Sequence, residues 1–170
     1  MERLEMDVLM IRINGLMGAG RYAEARGLLE RVLDAEPGHG VAHGMMGWIC
    51  WALLDDHERA VVHFRCAVRW APGHAASWLH YLRLLAGDGH GQELHEAYQR
   101  ALQVPGIDRC AVLSVVAGHL ERTGRPAEAL RLYRSARSTA MTAAEEADQA
   151  ANIRRVSSRL RRARWAGLFG

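Results

Sequence analysis

An all-α fold, a solenoid of stacked helix pairs, is what this sequence predicts, and three observations predict it. The first is a triplet that recurs four times: Ala25–Leu29–Val32, Ala60–Phe64–Ala67, Leu94–Tyr98–Ala101 and Ala129–Tyr133–Ala136. Its copies stand 35, 34 and 35 residues apart, and a fixed period near 34 marks an array of helix pairs. The second is an apolar stripe ahead of each triplet: Leu9–Ile13–Leu16, His43–Gly47–Cys50, Trp78–Leu82–Leu85 and Leu113–Ala117–Leu120. Steps of four and three place each stripe on one side of a helix. The third is turn chemistry at matching places. Gly20-Arg21, Asp55-Asp56, Gly89-His90-Gly91 and Gly124-Arg125-Pro126 separate the two helices of each repeat.

Taken in order, helices are expected over 4–18, 21–35, 40–54, 57–70, 75–87, 91–103, 109–122 and 126–139, with a last one over 143–165. Pro37, Pro72 and Pro105 close the first three repeats, each followed by Gly. Proline ends a helix because it lacks the N–H and its ring clashes with the preceding turn. Pro126 suits the opening turn of a helix, where that N–H has no partner anyway. No stretch alternates with period two for long enough to form a strand. The expected organisation is four repeats over 1–142, at about 4–38, 39–73, 74–108 and 109–142, then a basic amphipathic helix and tail over 143–170. Neither helix of a repeat can bury its stripe alone, so each repeat must lean on its neighbours.

Composition narrows the class. Of 170 residues, 49% are hydrophobic and 24% charged, an ordinary balance for a folded domain. No apolar run reaches the ~20 residues of a membrane span, and the acidic N-terminus with Arg12 does not read as a secretory leader. Cys50, Cys66 and Cys110 form no CxxC pair and are odd in number, which suits buried thiols in a reducing cytoplasm. All 22 basic residues are Arg, the usage a GC-rich bacterial genome supplies. Net charge is +3, and the whole excess lies in 143–170, where six Arg face three acids.

These residues resemble the tetratricopeptide repeat family, whose repeats are 34-residue antiparallel helix pairs. The likeness covers about 6–140. Trp78 stands where the family often has Trp, Gly47 where it has Gly, and Pro37 and Pro72 at its closing proline. Ala25, Ala60 and Ala129 match its small residue at the tightest helix contact. Arg12 at a normally apolar place, Leu94 for the small residue and one extra residue near Leu54–His57 depart from the pattern. The resemblance implies a right-handed superhelix whose first helices line a concave face, with a partner peptide or amphipathic helix held along it.

On helical wheels, the residues expected to face that groove are Met10, Asn14 and Met17; Met45, Trp48 and Trp51; Leu79, Arg83 and Ala86; Ser114 and Gly118. Met45, Trp48 and Trp51, three apart and off the stripe, form a candidate hot spot for an apolar segment. Core packing of both tryptophans is the competing reading, because that helix is apolar nearly all round. The family's carboxylate clamp is not expected: there is no Lys, and Asn14 and Arg83 fall in non-adjacent repeats.

In the tail, Ile153, Val156, Leu160 and Ala163 form a stripe, and Arg154, Arg155, Arg159, Arg161, Arg162 and Arg164 occupy the rest. A capping helix is the first reading. Phosphate contact with nucleic acid, or attachment to an anionic membrane surface aided by Trp165, Leu168 and Phe169, is the alternative. His39 and His43 are four apart, but His39 and His74 each follow a Pro-Gly at the repeat period, so duplication rather than a metal explains them. Gly15, Gly18 and Gly20 lack the strand and the GKS/T ending of a phosphate loop. No catalytic constellation is visible, and no cofactor or metal is expected. The sequence therefore reads as a non-enzymatic adaptor, scaffold or chaperone-like module that binds another protein, with a second copy of the chain as a further partner.

Overall fold

A computed structural model describes residues 3–166. Those residues form nine helices and no strand: α1 (Arg3–Gly18), α2 (Tyr22–Ala35), α3 (Gly40–Ala52), α4 (His57–Trp70), α5 (Ala75–Asp88), α6 (Gly91–Ala101), α7 (Arg109–Arg122), α8 (Pro126–Ser138) and α9 (Ala143–Ala166). The fold is thus the all-α array of helix pairs the repeats imply. Helices α3 and α6 end two residues before the expected points, at Ala52 and Ala101. The chain divides into two compact units, Met1–Leu84 and Leu85–Gly170, with the division inside α5.

One backbone position repeats with the sequence period. Gly20, Asp55, Gly89 and Gly124 all adopt positive φ, at 72°, 52°, 80° and 80°. Each stands two residues before the second helix of its repeat begins. Glycine enters this left-handed region without steric cost, and Asp is among the few other residues that tolerate it. Asp56 then caps α4, its Oδ1 accepting the Arg59 N–H at 3.0 Å. Asp108 caps α7 through the Ala111 N–H at 2.8 Å. Before α9, the Thr142 hydroxyl accepts the Glu145 N–H at 3.1 Å, and the Glu145 carboxylate accepts the Thr142 N–H at 3.1 Å. That reciprocal pair is a capping box.

Within the N-terminal unit the two triplets are the core. Ala25, Leu29, Val32, Ala60, Phe64 and Ala67 are fully buried. A buried Leu or Phe contributes ~2–3 kcal/mol relative to exposure. Gly47 lets α3 lie against α4: a Cβ there would meet Phe64 Cδ1 at 3.0 Å. Trp78 is buried, and its Nε1–H donates to the Pro72 carbonyl at 2.7 Å, tying α5 to the turn before it. Leu9 is only half-buried, so the α1 stripe is deepest at Ile13 and Leu16.

In the C-terminal unit, Ala117, Ala129, Tyr133 and Val156 form one buried cluster, with Leu120, Leu130, Leu132, Ile153 and Leu160 packed around it. The last helix is therefore docked on α7 and α8 through Ile153, Val156 and Leu160. Ala163 is exposed, so the expected stripe stops one turn early. Trp165 is exposed too. Leu168 and Phe169, expected to aid surface attachment, lie outside the described residues.

Candidate functional site

A cavity of about 420 Å³ opens in the N-terminal unit. Helix α1 contributes Asn14 and Met17, and Tyr22 stands at the start of α2. From α3 come Gly44, Met45 and Trp48; His74, Ala76, Ser77 and His80 come from α5 and the turn before it. Gly44 belongs here because α3 and α5 nearly touch: a Cβ on it would collide with Ser77 Oγ.

Aromatic packing fixes the walls. The Trp48 ring lies 5.3 Å from that of Tyr22, tilted by 54°. Across α3, Trp51 sits 6.4 Å from the His80 ring. His80 also stacks at 6.4 Å on Phe64, linking the cavity to the core. Trp48 and Trp51 are both half-buried, so each packs against neighbours while keeping an accessible edge.

The polar groups of the cavity are neutral. His74 Nδ1 and the Ser77 hydroxyl are hydrogen-bonded at 2.8 Å. His80 Nδ1 is buried with no hydrogen-bond partner among the described residues. Burial pushes the pKa of His74 below the ordinary imidazole value. The same holds for His80, where burial acts first and the Arg83 and His74 charges add to it. Neutral imidazoles beside Trp, Met and Tyr make a lining that carries no formal charge.

Just outside the cavity, His43 and His63 join α3 to α4 by an Nδ1–Nδ1 contact of 2.9 Å. His43 Nε2 lies 2.9 Å from the Pro37 carbonyl, an acceptor, so Nε2 carries the proton. His43 Nδ1 then accepts, and His63 Nδ1 donates. Burial, then the charges of His43 and Arg59, lowers the His63 pKa. His39 caps α3 instead of facing a metal: its Nδ1 accepts the Ala42 N–H at 3.2 Å. Among the described residues no group of three or more His, Cys, Asp or Glu could hold a metal ion.

Of the residues expected in the groove, Asn14, Met17, Met45 and Trp48 line this cavity. Met10 and Leu79 are half-buried and Arg83 exposed, all outside its lining. Ala86 is buried, its carbonyl accepting from His119 Nδ1 at 3.1 Å and Arg122 Nη2 at 2.9 Å. Ser114 belongs to the C-terminal unit, where its hydroxyl donates to the Cys110 carbonyl at 2.7 Å. Tyr22, His74, Ser77 and His80 were not anticipated. Their signal was present in part: His74, Ser77 and His80 recur every three residues, off the Trp78–Leu82–Leu85 stripe.

The tail arginines split in two. Arg155 and Arg159 turn back to the buried Glu121 of α7, Arg159 at 2.8 Å. Arg154, Arg161, Arg162 and Arg164 are exposed, Arg161 donating to the Ser158 hydroxyl at 3.2 Å. No helix among the described residues is long and apolar enough to cross a membrane.

The fold has close counterparts among solved structures. Similar to this chain is the PilF protein of Pseudomonas aeruginosa, with a TM-score of 0.78 and 16% identity over 92% of this chain and 69% of that one. The MamA protein of Desulfovibrio magneticus RS-1, from residue 41 onward, matches with a TM-score of 0.65 and 13% identity over 92% and 95%. A thermophilic tetratricopeptide repeat protein of Thermus thermophilus matches with a TM-score of 0.50 and 18% identity over 87% and 98%. No family model and no curated protein sequence matches the chain. At these identities the likeness is one of fold, and that fold is the tetratricopeptide repeat.

Proposed function

We propose that this tetratricopeptide-fold chain is an adaptor or chaperone-like module whose N-terminal unit holds a short, uncharged, amphipathic segment of a partner protein. The observation that carries this reading is the cavity's lining: Met17, Met45, Trp48 and Tyr22 offer apolar area, and His74, Ser77 and His80 offer neutral hydrogen bonds. Tryptophan and tyrosine in a partly preformed cleft are the anchors that dominate peptide recognition. The mechanism is shielding: the segment's apolar side is removed from water, and no bond is made or broken.

The test is panning of a random peptide display on the protein. Peptides rich in apolar residues and poor in charge are expected, and Trp48→Ala should lose them while far-UV helicity persists. Recovered peptides that still bind Trp48→Ala would refute the assignment of this cavity.

Self-association is a second reading, favoured by one observation. Leu4, Val8 and Ile11 stand at helical spacing on α1 and are 73%, 59% and 71% exposed. A mass by light scattering that rises with concentration, and ceases to do so in Leu4→Glu/Ile11→Glu, would support it. An unchanging monomer mass would reject it.

A further inference from the structure

The C-terminal unit contains a second cleft, of about 450 Å³, lined by Gly118, Glu121 and Arg122 of α7, Tyr133 of α8, and Arg155 and Arg159 of α9. Its chemistry is the opposite of the first. Three guanidinium groups face one carboxylate, which leaves a surplus of two positive charges. We propose that this cleft binds a phosphoryl dianion.

The carboxylate sits at the floor and the guanidiniums at the mouth. The Glu121 side chain is 7% exposed, against 49% for Arg155 and 58% for Arg159. Glu121 Oε1 accepts from Nη1 of both Arg155 and Arg159, and Oε2 accepts from the Tyr133 hydroxyl at 3.4 Å. One carboxylate oxygen thus orients two guanidiniums without neutralising both. The Arg155 guanidinium is steadied further by Asn152 Oδ1, at 2.9 Å from Nη2. Arg122 is held from the opposite side, its Nη2 donating to the Ala86 carbonyl at 2.9 Å.

Donors are left over. Among the described residues, Nε and Nη2 of Arg159 and Nη1 of Arg122 have no acceptor. Gly118 keeps the wall between them open: a Cβ there would lie 3.5 Å from Arg122 Nη1 and 3.7 Å from the Tyr133 hydroxyl. Solvent-facing N–H groups on oriented, planar guanidiniums match the several oxygens of a phosphoryl group. Charge makes the same selection. A phosphate monoester carries about −1.5 to −2 near pH 7, which offsets the surplus of two, whereas one carboxylate would leave half of it.

Isothermal titration at pH 7.5 and low salt, with inorganic phosphate, O-phosphoserine and acetate as probes, tests the assignment. Saturable phosphate binding at least tenfold tighter than acetate is expected. Arg159→Gln and Arg122→Gln should each weaken it about tenfold, the scale of one lost charge-assisted hydrogen bond. Arg161→Gln, on the exposed side of α9, should leave it unchanged. Arg122 lies outside the Glu121 cluster, so its variant decides the matter even if Arg159→Gln loosens α9. Tighter binding of O-phosphoserine than of phosphate would point to a phosphorylated partner as the source; the reverse would point to the free ion. Absence of saturable binding by either phosphate probe up to tens of millimolar, equal affinity for acetate, or full affinity in Arg122→Gln would overturn the proposal.

Discussion

The two units are built from the same helix pair, yet their clefts have opposite characters. In the N-terminal unit the cavity is walled by Trp48, Tyr22 and Met45, and its polar groups are imidazoles that burial keeps neutral. In the C-terminal unit the cleft is walled by Arg122, Arg155 and Arg159 around a single buried carboxylate. What differs is the helix that completes each site. Helix α5 and the turn before it bring His74, Ser77 and His80 beside the apolar stripe, while α9 brings arginines one turn apart beside Val156. A repeat scaffold thus leaves its core positions alone and changes its chemistry through the residues flanking the stripe.

The largest expected effect tests the aromatic side of that contrast. Tyr22→Ala plus Trp48→Ala should weaken capture of a panned peptide by more than a hundredfold, since two lining anchors at ~2 kcal/mol each are removed. Raising NaCl to 1 M should leave wild-type peptide affinity within twofold, while phosphate binding in the other unit should fall steeply. Equal salt sensitivity of the two ligands would erase the distinction between the two clefts.

Next in size is the buried carboxylate. Glu121→Ala removes the group that Arg155 and Arg159 share. A loss of about 2 kcal/mol in urea unfolding is expected, less than for a fully buried pair because both guanidiniums are half in solvent. A loss below 0.5 kcal/mol, on the ~1 kcal/mol scale of exposed pairs, would show that apolar packing alone seats α9.

Acid should separate the units as well. His63, His74 and His80 all have folded-state pKa values lowered by burial. The native state therefore binds fewer protons than the unfolded chain once pH falls below the ordinary value of 6.5. Stability of the N-terminal unit is full above that value and declines as pH drops through 6.5 towards the lowered values. Four of the five tryptophans, Trp48, Trp51, Trp70 and Trp78, lie in that unit, so with Trp165→Phe as background tryptophan fluorescence reports it. Its urea midpoint should fall between pH 7.5 and 5.5; a constant midpoint would contradict the buried, neutral imidazoles.

The smallest effect concerns the turn all repeats share. Asp55→Gly should raise stability by ~0.5 kcal/mol and Gly124→Asp should lower it by a similar amount, because only glycine enters positive φ freely. Changes of equal sign in the two variants would mean that the two turns are not equivalent.

Much of the architecture was legible because the core of each helix pair is local. The spacing from Ala25 through Leu29 to Val32, repeated at Ala60 and Ala129, names residues that are in fact buried. Gly20 and Gly124 marked turns that do take positive φ. The clefts were less legible, since each draws on three or more elements. Wheel positions put Asn14, Met45 and Trp48 on one face, and they line one cavity, but the wheel could not say that α5 would meet them with Ser77 and His80 rather than with Leu79 and Arg83. Glu121 was a missed clue. It stands four residues after Ala117 and eight after Leu113, on the face of the apolar stripe, and an acidic group placed so calls for a cation; the arginine-rich last helix supplies two.

That carboxylate also dictates where the chain can be shortened. Trimming everything after residue 142 would strip away both cations and the Val156 plug together, baring the apolar patch of Ala117, Ala129 and Tyr133 beside a carboxylate that has lost its two cations. Such a fragment should clump or be digested rather than persist as a trimmed version of the whole, so the final helix is as much a part of the folding unit as the repeats it follows.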